Sequence, residues 1–158
     1  MTDKHQLAVE TVRRYMWLSG AAGLVPIPVA DVVAVSGVQL KMLADISKIY
    51  DSPFGASRGK MIIGSLMGYV LPRALSFGVI GSLIKGIPLV GTLAGAPAMA
   101  LFSSASAWAL GAVFIQHFDS GGTFLNFDPE AVREYYRAQF EAGQKMVTDR
   151  KTEEKAPA

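Results

Sequence analysis

The feature that most restricts the fold of this chain is a run of 31 residues without a charged side chain, from Gly86 to Gln116. About 20 apolar residues in a helix span the core of a bilayer, and buried helices of soluble proteins rarely stay uncharged for so long. Gly, Ala and Ser recur along the run, and such small residues let helices pack closely in lipid. The run therefore predicts helical structure in an apolar environment.

The composition excludes several kinds of site. The chain has 158 residues, of which 51% are hydrophobic and 18% charged, below the roughly 25% that is usual for soluble domains. Cysteine is absent, which excludes disulfides and thiolate metal sites. A net charge of +2 is too small to indicate nucleic acid as a partner. No motif for a nucleophile, metal, cofactor or small-molecule substrate is evident, so we predict a non-enzymatic protein.

Apolar residues recur at helical spacing in about five segments, and no segment alternates with the period of two that a half-buried strand requires. The sequence predicts a single all-α domain over residues 1–147, with an apolar Gly/Ala-rich helical hairpin at its centre, followed by a flexible charged tail, residues 148–158. Pro72 is expected to interrupt or kink the third helix, and Gly95-Ala96-Pro97 to break the fourth. Asp128-Pro129-Glu130 predicts the start of the last helix. The predicted helices cover residues 3–20, 28–50, 57–84, 97–118 and 128–147.

Small residues spaced four apart predict positions where helices pack closely, either within one chain or between two copies. Gly64 and Gly68 form one such pair, and Gly91 and Gly95 form another. The same spacing continues on the long helix at Ser103, Ala107 and Gly111.

Two charged residues lie in the most apolar surroundings, which makes them candidate functional residues. Asp31 also fits the first turn of a helix that begins at Pro28, where the helix dipole favours a carboxylate. The sequence leaves three roles open for Arg73. Its side chain can pair with Asp31, line a polar cavity, or lie at a helix break that reaches water.

One block of the sequence resembles a known family. The segment Val25-Pro26-Ile27-Pro28-x-x-Asp31, followed by Gln39-x-x-Met42, is similar to the bacterial YcjF-like family of domains of unknown function. That family also has a turn like the one from Lys85 to Gly91 and a small-residue helix like the one at 105–111. The resemblance covers residues 24–122, and its motif positions are Pro26, Pro28, Asp31, Pro88 and Gly91.

The resemblance implies a helical domain tied to bacterial inner membranes, which in many relatives follows a GTPase domain. Residues 1–158 contain no such domain, so a GTPase would be a separate partner. The resemblance supplies no catalytic residue.

Three functions are compatible with these observations. The first is a membrane-associated scaffold or binding partner, with 61–84 and 88–116 inserted as a transmembrane hairpin in the inner membrane and both termini in the cytoplasm. Membrane lipid and a protein partner or second copy would bind it. The second is a soluble all-α interaction or oligomerisation module, cytoplasmic or peripheral, with the long helix as the core of a bundle. The third is a small channel or transporter, with Asp31 and Arg73 lining the path.

Overall fold

The computed structural model describes residues 3–22, 28–76 and 88–155, with side chains described for 3–21, 36–70, 100–150 and 152–154. Within these ranges it has five α-helices and no strand, so the all-α fold predicted from the sequence is confirmed. The helices are α1 (Asp3–Ala22), α2 (Pro28–Ile49), α3 (Ala56–Ser76), α4 (Pro88–Asp119) and α5 (Arg133–Lys155).

Helix α4 lies at the centre of the bundle. Its most extensive contacts are with α1 and α5, and it also contacts α2 and α3. Small residues allow α1 and α5 to approach α4 closely on its two sides. A β-carbon on Gly143 of α5 would lie 3.0 Å from the Cα of Ala105, and one on Gly20 of α1 would lie 2.3 Å from the hydroxyl oxygen of Ser104. The core therefore surrounds the second half of α4.

The uncharged run is buried by protein over the residues whose surroundings are described. Between Phe102 and Phe118 most side chains of α4 are inaccessible to solvent because α1, α2 and α5 cover them. Over this part of the predicted transmembrane hairpin, helices of the same chain cover the side chains that were expected to face lipid, so the structure does not support the hairpin there. No helix in the three described ranges combines the length and hydropathy of a membrane span.

Two predicted interruptions do not end a helix. Helix α4 continues through Gly95-Ala96-Pro97 as a single 32-residue helix, and α3 continues past Pro72 to Ser76. A proline removes one backbone hydrogen bond, and a long helix can accept that loss without ending. The remainder of the predicted third helix, 77–84, lies outside the described residues.

The last helix is displaced towards the C terminus relative to its prediction. Asp128 does not begin it but accepts a 2.9 Å hydrogen bond from the backbone N–H of Glu130, in a turn that precedes α5. Residues 148–155, predicted as part of a flexible tail, are helical. Thr148 and Thr152 each donate a hydroxyl hydrogen bond to the carbonyl four residues earlier, and Lys, Arg and Glu around them favour helix. Residues 156–158 lie outside the described ranges.

Candidate functional site

One end of the bundle, called here the polar end, comprises residues 3–5, 50–55 and 119–132. Asp119, the last residue of α4, accepts a 2.7 Å hydrogen bond from the hydroxyl of Tyr50, and its other oxygen lies 2.6 Å from Nδ1 of His5. Lys4 and Asp51 form an ion pair of 2.6 Å. Burial, together with the bond to Asp119, raises the pKa of Tyr50 well above its ordinary value. These contacts join the N terminus of α1 to the C-terminal ends of α2 and α4.

A loop closes the polar end over the core. Arg58 of α3 donates hydrogen bonds of 3.2 and 3.0 Å to the backbone carbonyls of Phe124 and Phe127. The ring of Phe127 stacks on Phe114 of α4 with 4.1 Å between centroids. The guanidinium of Arg58 therefore fixes this loop over the core.

The opposite end differs in character. The second half of α1 exposes Trp17 and Leu18, which are 37% and 50% accessible. The guanidinium of Arg150, on α5, lies 4.2 Å from the centroid of the Trp17 ring. The connections at this end, 23–27 and 77–87, lie outside the described residues, and their sequences contain one charged residue, Lys85. The connections at the polar end carry three acidic residues, at positions 51, 128 and 130.

A groove of about 280 Å³ runs along α4 between α1 and α5. Val9, Val12, Ala112 and Ile115 give it an apolar floor, and the partly exposed ring of Tyr135 forms one side. Its dimensions suit one or two apolar side chains. Within the described ranges, no group of three residues is placed to hold a metal ion.

Three buried polar side chains connect α2, α4 and α5. Gln39 donates a 3.1 Å hydrogen bond to the hydroxyl of Ser106, which lies 2.9 Å from the hydroxyl of Tyr136. Burial raises the pKa of Tyr136. The Ser106 hydroxyl therefore contacts an amide and a phenol. These hydrogen bonds fix the register of the three helices, but neither partner is a general base. Sequence reasoning gave these three residues no joint role, because they are 67 and 30 residues apart and share no motif.

The small residues predicted for packing have different surroundings. Ser103, Ala107 and Gly111 are buried in α4. Gly64 and Gly68 are exposed on α3, and a β-carbon on either would have no neighbour within 4 Å. Pro28 and Pro88 are the first residues of α2 and α4. The remaining predicted positions lie outside the residues whose surroundings are described: Pro26, Asp31, Arg73, Gly91 and Gly95.

Comparison with known proteins places the chain in a family. It is 34% identical over 152 residues to magnetosome membrane protein 22 of Magnetospirillum gryphiswaldense, an alignment that covers 96% of this chain and 78% of that protein. No solved structure matches it. A family model described as a domain of unknown function, DUF697, matches residues 1–145, and this confirms the resemblance seen in the sequence. The chain therefore belongs to the DUF697 family, which is found alongside YcjF-like GTPases.

Proposed function

We propose that this protein is a membrane-associated, non-enzymatic helical scaffold of the bacterial inner membrane, attached by the end of the bundle opposite the polar end. The observation that carries the proposal is the contrast between the two ends. Ion pairs and hydrogen bonds close one end, whereas the connections at the other carry a single charged residue beside the exposed Trp17 and Leu18. The magnetosome membrane relative supports membrane association.

The orientation follows from this contrast. Charged groups are costly to move into lipid, so the polar end faces the cytoplasm. The charged C-terminal end of α5, residues 149–155, lies at the attached end beside Trp17 and stays in water on the cytoplasmic side of the bilayer. Attachment depends on apolar residues of the connections at 23–27 and 77–87, while the described bundle remains outside the hydrocarbon. This proposal replaces the hairpin with a bundle whose core is protein.

A scaffold role without catalysis is supported by the polar groups of the core. The hydroxyl of Ser106 forms hydrogen bonds with the amide of Gln39 and the phenol of Tyr136. Neither group activates a hydroxyl at neutral pH. The family context makes a separate GTPase the first protein partner to test, by co-purification from native membranes.

Vesicle flotation tests membrane attachment. We expect the purified protein to float with vesicles of phosphatidylcholine and phosphatidylglycerol and to stay bound after a high-salt wash, because apolar contact is not screened by salt. Ile80→Asp places a charge in an apolar connection and should reduce flotation. Leu125→Asp, at a residue of the polar end that is 67% exposed, is the matched control and should float like the wild type. Recovery of the wild type entirely in the lipid-free fraction would refute the proposal.

A second candidate function is self-association through α3. Gly64 and Gly68 form an exposed small-residue strip, and Met61, one turn earlier, is 65% exposed. Two α3 helices could approach closely along such a strip. Gly64→Leu is expected to convert a dimer to a monomer in light scattering, whereas Gly37→Leu, at an exposed glycine of α2 that also has open space, should not. A wild-type chain that is monomeric at all concentrations would exclude this candidate.

A further inference from the structure

We infer that the second half of α1 lies on the headgroups of an anionic bilayer, with Trp17 and Leu18 entering the interface and Arg14 between them binding lipid phosphate. This inference rests on the proposed membrane attachment and specifies one of its contact surfaces. It assigns a ligand class, anionic phospholipid, to side chains that have no role in the core.

The three side chains share one exposed face of the helix. Trp17 and Leu18 follow Arg14 by three and four residues, the separations that bring side chains together on a helix surface. Leu18 is half exposed, and Trp17 leaves more than a third of its surface in solvent. An indole ring combines an apolar body with a polar N–H and is enriched at the boundary between lipid and water. This face therefore has the chemical character of a shallow membrane contact.

The charge of α1 changes along its length. Residues 3–10 contain two acids, Asp3 and Glu10, and one Lys, whereas residues 11–22 contain Arg13 and Arg14 and no acid. Arg150 adds a third cation from α5 above the Trp17 ring, beside the exposed Asp149. Arginine stems can lie along apolar surface while their guanidinium groups reach phosphate. Anionic headgroups thus complement the second half of the exposed face and are repelled by the acids of the first half.

The position of the face agrees with the proposed attachment. Helix α1 ends at Ala22 and is followed directly by the uncharged connection 23–27. A bilayer that holds this connection must pass close to Leu18, one turn before the helix ends. Leu7 lies on the same face about three turns earlier, beside the two acids, and stays away from the lipid surface.

Tryptophan fluorescence tests the contact directly, because the chain has two tryptophans. Trp108→Phe leaves Trp17 as the single reporter. Its emission should shift to shorter wavelength on addition of vesicles that contain phosphatidylglycerol, and lipids brominated near the headgroup should quench it. Trp17→Phe leaves Trp108, on the central helix, as the control, and the bromolipids should leave its emission unchanged.

A matched pair of variants in the full chain tests the orientation. Leu18→Gln and Leu7→Gln replace leucines of the same face that are 50% and 54% exposed. Leu18→Gln should weaken vesicle binding about fivefold, and Leu7→Gln should leave it unchanged. Arg14→Gln should weaken binding to anionic vesicles by a similar factor, about fivefold, with no effect on binding to phosphatidylcholine alone.

The outcomes separate this inference from the proposed function. Wild-type protein that fails to bind any vesicle overturns both. Wild-type protein that floats while Trp17 emission does not change, or while Leu18→Gln binds like the wild type, overturns the α1 contact and leaves membrane attachment in place. Equal losses for Leu18→Gln and Leu7→Gln also overturn it, because the acidic half of the helix would then contact lipid too.

Discussion

Gly111 lies so close to Val12 that a β-carbon added to it would be 2.3 Å from Cγ2 and 2.5 Å from Cγ1 of the valine. Val12 is buried and branched at its β-carbon, so it has little freedom to move away. We expect Gly111→Ala to lower the free energy of unfolding by about 1–3 kcal/mol, as overpacking does, although alanine favours helix. Urea denaturation measures the change.

Gly37→Ala is the matched control for that substitution. Gly37 is exposed on α2 with no atom within 4 Å of the added carbon, so only the helical preference of alanine acts there. The free energy of unfolding should rise by about 0.5–1 kcal/mol. If both substitutions stabilise the protein, the close contact between α1 and α4 is not present in solution.

Burial of the central helix predicts that Leu110→Arg is poorly tolerated. Leu110 is 1% exposed in the core, and an arginine there would bury a charge without a partner. The loss should exceed about 4 kcal/mol and reduce the yield of folded protein. Leu125→Arg makes the same change at an exposed position and should cost little. Circular dichroism and soluble yield compare the two, and equal behaviour would contradict the assignment of α4 as the core helix.

The polar contact among α2, α4 and α5 predicts an order of stability. Ser106→Ala removes the partner of both Gln39 and Tyr136 and leaves two buried polar groups without a hydrogen bond. We expect a loss of about 2–3 kcal/mol, against about 1 kcal/mol for Tyr136→Phe, which removes the phenol itself. Chemical denaturation of both variants measures the difference, and the reverse order would show that this contact does not form.

Alkaline pH should destabilise the protein through its buried tyrosine. Burial raises the pKa of Tyr136 above its ordinary value of 10.0, so the folded state favours the neutral phenol. The stabilisation that comes from keeping the Tyr136 phenol neutral is fully present below pH 10. It decreases as the pH rises above 10, because the unfolded chain releases the phenolic proton at a lower pH than the folded chain does. Unfolding measured on both sides of pH 10 should give a shallower decline for Tyr136→Phe than for the wild type. Identical slopes would indicate that Tyr136 is accessible to solvent.

The sequence predicts much of the fold because several helices have clear signals. Pro28 begins α2 where a proline is favoured, and the third helix was predicted within one residue of its start at Ala56. The start of α4 was missed, because the prediction placed it at residue 97 and the helix begins at Pro88. The end of α5 was missed because residues 148–155 have no apolar stripe, and their helical structure continues from the packed turns before them.

The environment of α4 could not be read from its residues. A helix buried on every side by protein and a helix in lipid both lack charge, and both favour Gly, Ala and Ser at close contacts. In the structure α4 contacts Val12, Gln39 and Tyr136, and each of these partners is remote in sequence from the residue it meets. The polar end of the bundle likewise cannot be predicted from the sequence, because it depends on contacts such as that between His5 and Asp119, which are far apart along the chain.

The central position of α4 has a consequence for synthesis in the cell. Helix α1 packs mainly against a helix whose far end lies more than a hundred positions downstream, and His5 and Asp119 are 114 residues apart. The part of α1 that faces α4 therefore lacks its native partner while most of the chain is translated, since such distant pairings form late. We expect a chaperone, or the nearby lipid surface itself, to shield this part of α1 until its partner helix leaves the ribosome.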